Sequence, residues 1–284
     1  MIQDPEAARL GLLVEYAMDM YTGPMGRQTL EPPPDPRLPP DWTLRSYICG
    51  TDAVLHLKNP LALGQDNVCY GFLAESNANP GAFVAVIRGT DGILEWAEDG
   101  EFAPMRCPAG GMVEQGFWLL YQTLRLRTAG EMTDIVAGIA GAVGATGTLT
   151  VVAHSLGSAL ATYLTLDLAD PGRLGSRVSA CLFASPQTGD SAFVERFDQA
   201  VGNYRLYNYE LDVVPRVPRA LGYATLPKAT WISPFDSQAA IRFDLGCHHH
   251  VICYCAMLDY ALLDWSKVPQ QDQPCAACIR GPHP

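Results

Sequence analysis

Basic residues are scarce in this 284-residue chain: 19 lysines and arginines stand against 30 acidic residues, a formal net charge of −11. Such a surface repels phosphate backbones and strongly anionic membranes, which sets nucleic acid aside as a partner and leaves neutral or cationic ligands open. Long apolar runs are missing too. No stretch approaches the roughly 18 residues of a spanning helix, so no transmembrane segment is expected. Met1-Ile2-Gln3-Asp4-Pro5-Glu6 lacks the basic, then apolar, pattern of a signal peptide. The expectation is a soluble chain with no visible export address, either cytoplasmic or secreted with its signal absent from this sequence. A second cysteine pair to match Cys275-Ala276-Ala277-Cys278 is also missing, which weighs against a zinc ribbon and leaves a tail disulfide or free thiols. Nine cysteines leave at least one unpaired in any all-disulfide scheme, and most read as buried thiols. No internal repeat is visible.

What is present is apolar bulk. With 48% hydrophobic and 17% charged residues, the chain can bury a sizeable core, and one α/β domain over 1–284 is expected, with a Pro-rich strap at 31–40 and an irregular tail at 266–284. Pro5 to Tyr21 reads as a helix, with Ala8, Leu12, Tyr16 and Met20 on a buried face. Six prolines between Glu31 and Pro40 exclude helix and central strand, leaving a surface strap or a partner-binding proline motif. Leu44 to Leu57 gives two short β-like runs around Gly50-Thr51-Asp52; Val68 to Ala74 and Ala82 to Ile87 follow as an antiparallel start to a sheet, and Phe83 to Ile87 is apolar enough to be central. Met112 to Arg127 and Met132 to Val143 read as helices, Val178 to Phe183 and Tyr204 to Tyr209 as strands with a helix around Phe193 to Val201 between them, and Tyr254 to Trp265 as a last amphipathic helix. Only loops and short strands are expected from Leu221 to Phe243. Alternation of strand and helix from 112 onward implies a central, mostly parallel sheet flanked by helices.

The stretch with the most specific chemistry is Thr148 to Ala161. A β-branched run breaks at Ser155 and continues as a small-residue helix, the pattern of a strand, a sharp turn and a helix with the serine on the turn, pushed out of the sheet. Ala153 and Gly157 supply the small residues that crowded backbone requires, and the helix aims its N-terminal amides at charge forming near Ser155. A plain strand-helix junction would look similar locally. A serine hydroxyl is a weak nucleophile and needs a histidine to take its proton and an acid to hold that histidine; on such a turn the acid, then the histidine, follow downstream. Asp212, just past the strand at Tyr204 to Tyr209, is the candidate acid, with a turn-forming role as its alternative. The downstream histidines are His248, His249, His250 and His283. A run of three histidines points its rings to different faces, so one catalytic ring beside two solvated ones fits better than a zinc site.

Several separated segments resemble the class 3 (fungal-type) triacylglycerol lipase family of the α/β-hydrolase superfamily. Arg88-Gly89-Thr90 followed by Trp96-Ala97-Glu98-Asp99 is similar to its R-G-[ST] turn and W-x-x-D partner. Gly116-Phe117 after Val113 resembles V-H-x-G-F. His154-Ser155-Leu156-Gly157-Ser158-Ala159-Leu160-Ala161 resembles H-S-L-G-G-A-L-A, Phe183 to Asp190 resembles F-G-S-P-R-V-G-[ND], and Asn208, Asp212, Val214-Pro215 and Pro218 resemble N-x-x-x-D-x-V-P-x-x-P. Ala153, Ser158 and Ala184 replace family glycines, and Glu114 stands where the family often has histidine. The resemblance implies an α/β-hydrolase fold, no cofactor or metal, and a serine carboxylic-ester hydrolase, a lipase acting on acylglycerol or another ester at a lipid-water interface. A short-chain or feruloyl esterase, a phospholipase A and a non-catalytic lipid-binding relative are the alternatives. It implies Ser155 as nucleophile, Asp212 as acid and His249 as base, five positions before Tyr254, with His250 next in line. It also implies an oxyanion hole from the amide of Leu156 with the amide and hydroxyl of Thr90, and a lid carrying Asp91, Ile93, Leu94 and Trp96. The alternatives for these are an ordinary turn at Thr90 and an amphipathic turn packed on the core at 91–96.

Overall fold

The computed structural model describes residues 2–52, 67–90, 102–218, 222–237, 239–261 and 278–282. Helix α1 (Pro5–Thr22) starts as the sequence suggests, with Pro5 in the first turn and the Asp4 carboxylate accepting from the Ala7 amide. Its buried face is wider than a four-residue repeat predicts. Ala7, Leu10, Leu13, Val14 and Ala17 are buried, whereas Leu12 and Tyr16 are only partly covered. The strap at 31–40 is irregular and is clamped by Arg37, which donates to Asp19 of α1 and to Asp35.

Strands β1 (Trp42–Thr51), β2 (Asn67–Ser76) and β3 (Ala82–Ile87) form an antiparallel meander. The expected break at Gly50-Thr51 is absent: β1 runs through it, because Thr51 is still paired with Asn67. The second run, 53–57, lies outside the described residues. The long helix expected over 112–127 is corrected as well. Short strands β4 (Pro104–Arg106) and β5 (Met112–Glu114) precede a helix α2 of only nine residues (Gln115–Thr123), and β6 (Arg125–Thr128) and β7 (Glu131–Asp134) follow it as a hairpin. The helical spacing was real over Phe117 to Leu120, but Glu114 caps the helix and the β-hairpin at its far end overrides the pattern. Helix α3 (Ile135–Val143) then ends at Gly144, whose φ of +70° suits glycine.

The rest alternates: β8 (Thr148–His154), α4 (Leu156–Leu168), β9 (Val178–Phe183), β10 (Gly189–Asp190), α5 (Ser191–Ala200), β11 (Tyr204–Tyr209), β12 (Tyr223–Ala224), β13 (Ala229–Ile232) and β14 (Ala239–Ile241). The described residues form a nine-stranded sheet ordered β13-β11-β9-β8-β3-β2-β1-β6-β7, with β3, β8, β9, β11 and β13 parallel. Strand β3 lies at its middle, as its apolar run implied. Alternate residues go to opposite faces: Ala85 and Ile87 join the core under α2, α3, α4 and α5, while Val84 and Val86 join the core under α1 and the last helix.

That last helix starts earlier than Tyr254 and is not amphipathic. A short α6 (Leu245–His249) leads into α7 (Val251–Leu258), every residue of which is buried; residues 262–265 lie outside the described part. The tail is also corrected. Cys278 is disulfide-bonded to Cys247 of α6, and β15 (Ile279–Pro282) pairs with β14. Among the described residues, six other cysteines are buried and form no disulfide.

Glu114 is a cost inside this fold. Its carboxylate accepts from the Phe117 amide at the start of α2, but burial outweighs that bond and pushes its pKa up to about 7. The unfolded chain ionises near 4.5, so the protonated folded form favours folding below that pH, and this contribution is lost as pH rises through about 7. Glu114→Gln keeps an acceptor and cannot ionise. Urea unfolding at about pH 4 and about pH 8 should show the wild type losing up to about 3 kcal/mol more than the variant across that interval. Equal losses in the two proteins would contradict a desolvated carboxyl.

Candidate active site

The parallel strands end on one edge of the sheet, and the polar side chains gather there. Strand β8 ends at His154, and Ser155 turns into α4 with φ 59° and ψ −131°. A positive φ at a residue with a side chain is strained by about 1–3 kcal/mol, and surrounding structure must impose it. The Ser155 amide donates to the Phe183 carbonyl of β9. Gly157 lets the helix start close in: a Cβ there would stand 2.5 Å from the carbonyl oxygens of Ile87 and Arg88. Ala153, completely buried, is accommodated where the family has glycine.

Asp212 follows β11 in a turn stabilised by its own amide donating to the Tyr209 carbonyl, and its Oδ1 accepts from the Val214 amide at 2.9 Å. His249 closes α6. Its Nδ1 lies 2.8 Å from Asp212 Oδ2 and its Nε2 lies 2.7 Å from Ser155 Oγ. A carboxylate oxygen only accepts, so Nδ1 carries the proton, and Nε2 is left with its lone pair toward the Ser155 hydroxyl. Ser155 and Asp212 are each 1% exposed and His249 8%. A hydroxyl, an imidazole and a carboxylate so linked can pass a proton from Ser155 to His249 while the oxygen attacks an electrophile.

The family resemblance marks Tyr254 only through its distance in sequence from His249, and nothing in the sequence signals what its hydroxyl does. It donates to Asp212 Oδ2 at 2.7 Å and accepts from the Tyr209 amide at 2.9 Å, so it ties the acid to the end of β11. His154 was also passed over as part of a string; its Nε2 lies 2.6 Å from the main-chain carbonyl of His249. No local pattern signals either contact, since the partners lie far apart in the chain. The expectation of two solvated neighbours beside the base is corrected. His248 is buried, edge-on to Tyr209 and Phe243, because α6 turns it inward, and His250 is partly covered beside Glu15 of α1.

Thr90 follows Gly89, where a Cβ would come within 3.0 Å of Ser155 Cβ, so this turn lies directly against the nucleophile candidate. Arg88, 3% exposed, donates from Nε to the Cys69 carbonyl and from Nη1 to the Gly89 carbonyl at 2.7 Å, with its guanidinium 3.4 Å from the Tyr21 ring centroid. Leu156 opens α4, where the first amides have no partner within the helix. Asp91, Ile93, Leu94 and Trp96 lie outside the described residues. No helix among the described residues is long and apolar enough to cross a membrane.

The profile of the family described as Lipase (class 3) matches residues 84–221. The secreted mono- and diacylglycerol lipase A of Penicillium cyclopium is 30% identical over 179 residues, 62% of this chain and 55% of that protein. Phospholipase A1-II 6 of Oryza sativa subsp. japonica is 34% identical over 204 residues, 59% of this chain and 49% of that protein. The chain thus spans about half the length of the curated relatives it matches. The crystal structure of the lipase from Rhizopus microsporus var. chinensis superposes with a TM-score of 0.57 at 22% identity, over 81% of this chain and 76% of that one, a likeness of fold.

Removing the Tyr254 hydroxyl leaves Asp212 Oδ2 with His249 alone. A hydrogen bond to a charged group contributes about 1.5–3 kcal/mol, so Tyr254→Phe should remain folded and lose about that much stability in urea unfolding at neutral pH. Unchanged stability would mean that the hydroxyl contributes nothing by holding Asp212 and the Tyr209 amide.

Proposed function

Because this chain belongs to the class 3 lipase family of the α/β-hydrolase superfamily, we propose that it is a serine carboxylic-ester hydrolase, a lipase cleaving acylglycerol esters. The observation that carries this reading is the continuous hydrogen-bonded line from Ser155 Oγ through His249 to Asp212. In the proposed reaction Ser155 Oγ attacks the ester carbonyl as His249 Nε2 takes its proton. Asp212 holds the imidazole and stabilises it once charged. The proton then passes to the departing alcohol, an acyl-Ser155 ester remains, and water activated by His249 releases the acid.

The negative oxygen of the tetrahedral intermediate would be received by the Leu156 and Thr90 amides, with the Thr90 hydroxyl as a further donor. The Gly89 carbonyl and the Thr90 amide belong to one trans peptide and point in opposite directions. By holding the carbonyl, Arg88 would aim the amide away from itself. Asp91, Ile93, Leu94 and Trp96, outside the described residues, are read as a lid on the sequence alone, from apolar side chains beside Gly92 and their place after Thr90. The rice relative, named a phospholipase A1, favours one second reading, removal of an acyl chain from a phospholipid by the same residues. The Cys247–Cys278 disulfide supports an oxidising compartment, consistent with relatives named as secreted.

Hydrolysis of p-nitrophenyl esters of increasing chain length, across their solubility limits, tests the reading. Ser155→Ala should lower turnover by on the order of a million-fold with the fold intact, and a variant keeping more than a few per cent of activity has another nucleophile. A jump in rate at the interface marks a lipase. Smooth saturation confined to short chains marks an esterase.

A further inference from the structure

We propose that His154 is a positioning residue for the base: its Nε2–H holds the main-chain carbonyl of His249 and thereby sets the reach of the His249 ring toward Ser155. This rests on the reading of Ser155 as nucleophile and His249 as base. The two residues are 94 positions apart, and the chain between them passes through irregular segments after β11. The path through His154 is much shorter. Its backbone is bonded to Ser155 and its side chain ends 2.6 Å from the His249 carbonyl oxygen.

That carbonyl needs an outside partner, because His249 closes α6 and the last carbonyls of a helix have no amide to accept from within it. A carbonyl only accepts, so Nε2 of His154 must carry the proton. Burial first, then the neighbouring rings of His249 and His250, hold the His154 pKa well below the ordinary imidazole range, which keeps it in this neutral form. Neutrality matters at this distance. The two rings are 4.7 Å apart between centroids and inclined by 41°, and a cation there would oppose the imidazolium that forms on His249 during attack. Tyr254 confines His154 from another side, its ring edge-on at 6.0 Å. The position therefore calls for a long, uncharged donor with enough bulk to support the His249 ring.

His154→Phe keeps ring bulk and removes the donor; His154→Gln keeps a donor without the ring. With a short soluble p-nitrophenyl ester, the Phe variant should lose about 10- to 100-fold in kcat, the scale expected for a base misplaced by an ångström or less, with KM changed less than about twofold. The Gln variant should recover most of that loss. A Phe variant with kcat within about twofold of wild type, or Phe and Gln variants impaired equally, overturns the assignment. If either variant fails to fold, nitrogen-15 histidine spectra of the wild type decide. An Nε2–H tautomer that persists through mildly acidic pH supports the proposal; an Nδ1–H tautomer, or protonation in the ordinary imidazole range, refutes it. Ser155→Ala measured alongside separates the two ideas, since an active Ser155→Ala variant removes Ser155 as the nucleophile and this inference with it, whereas an inactive one with normal His154→Phe removes only this inference.

Discussion

One imidazole depends on the whole architecture. His249 bridges Ser155 and Asp212 with bonds of 2.7 and 2.8 Å across sequence separations of 94 and 37 residues. Hydrogen bonds this distant do not organise a chain by themselves, because ordering each residue costs about 1–2 kcal/mol of backbone entropy. The parallel strands provide the order. Strands β8 and β11 flank β9 and end on the same edge, which delivers Ser155 and Asp212 to neighbouring positions before any side chain interacts. His249 arrives by another route, on a short helix fixed by the Cys247–Cys278 bond on one side and by α7, packed against α1, on the other.

Crowding at the turn explains the small residues around Ser155. The serine adopts a strained backbone because the helix start must come against the carbonyls of Ile87 and Arg88, an approach that only Gly157 permits. The same crowding brings Gly89 against Ser155 and so places the Arg88-Gly89-Thr90 turn beside it. Strain at the serine and the close approach of this turn are two aspects of one packing constraint.

Much of the sheet was legible because its strands are apolar on both faces, a pattern seen in Phe83 to Ile87, Val178 to Phe183 and the run before His154. Ser155 and Asp212 could be singled out from the strand ends they follow, whereas His249 was separated from its neighbours only by the resemblance to the lipase family, whose base lies five positions before a tyrosine. Three kinds of feature were not legible. Local periodicity misled over 112–127, where the capping of α2 by Glu114 and the β6-β7 hairpin cut a long helical pattern short. The burial of His248 and of all of α7 depends on what packs above them. The contacts of Tyr254, His154 and Arg88, and the pairing of Cys247 with Cys278, join residues that no spacing rule relates.

In the proposed reaction, the His249 ring makes Ser155 nucleophilic. The most direct test is labelling of the folded protein with a fluorophosphonate probe, followed by mapping of the modified peptide and repetition with His249→Ala. Label confined to Ser155 and lost or greatly slowed in the variant is the predicted result. Label on a different serine, or equally fast labelling of Ser155 without His249, would contradict it.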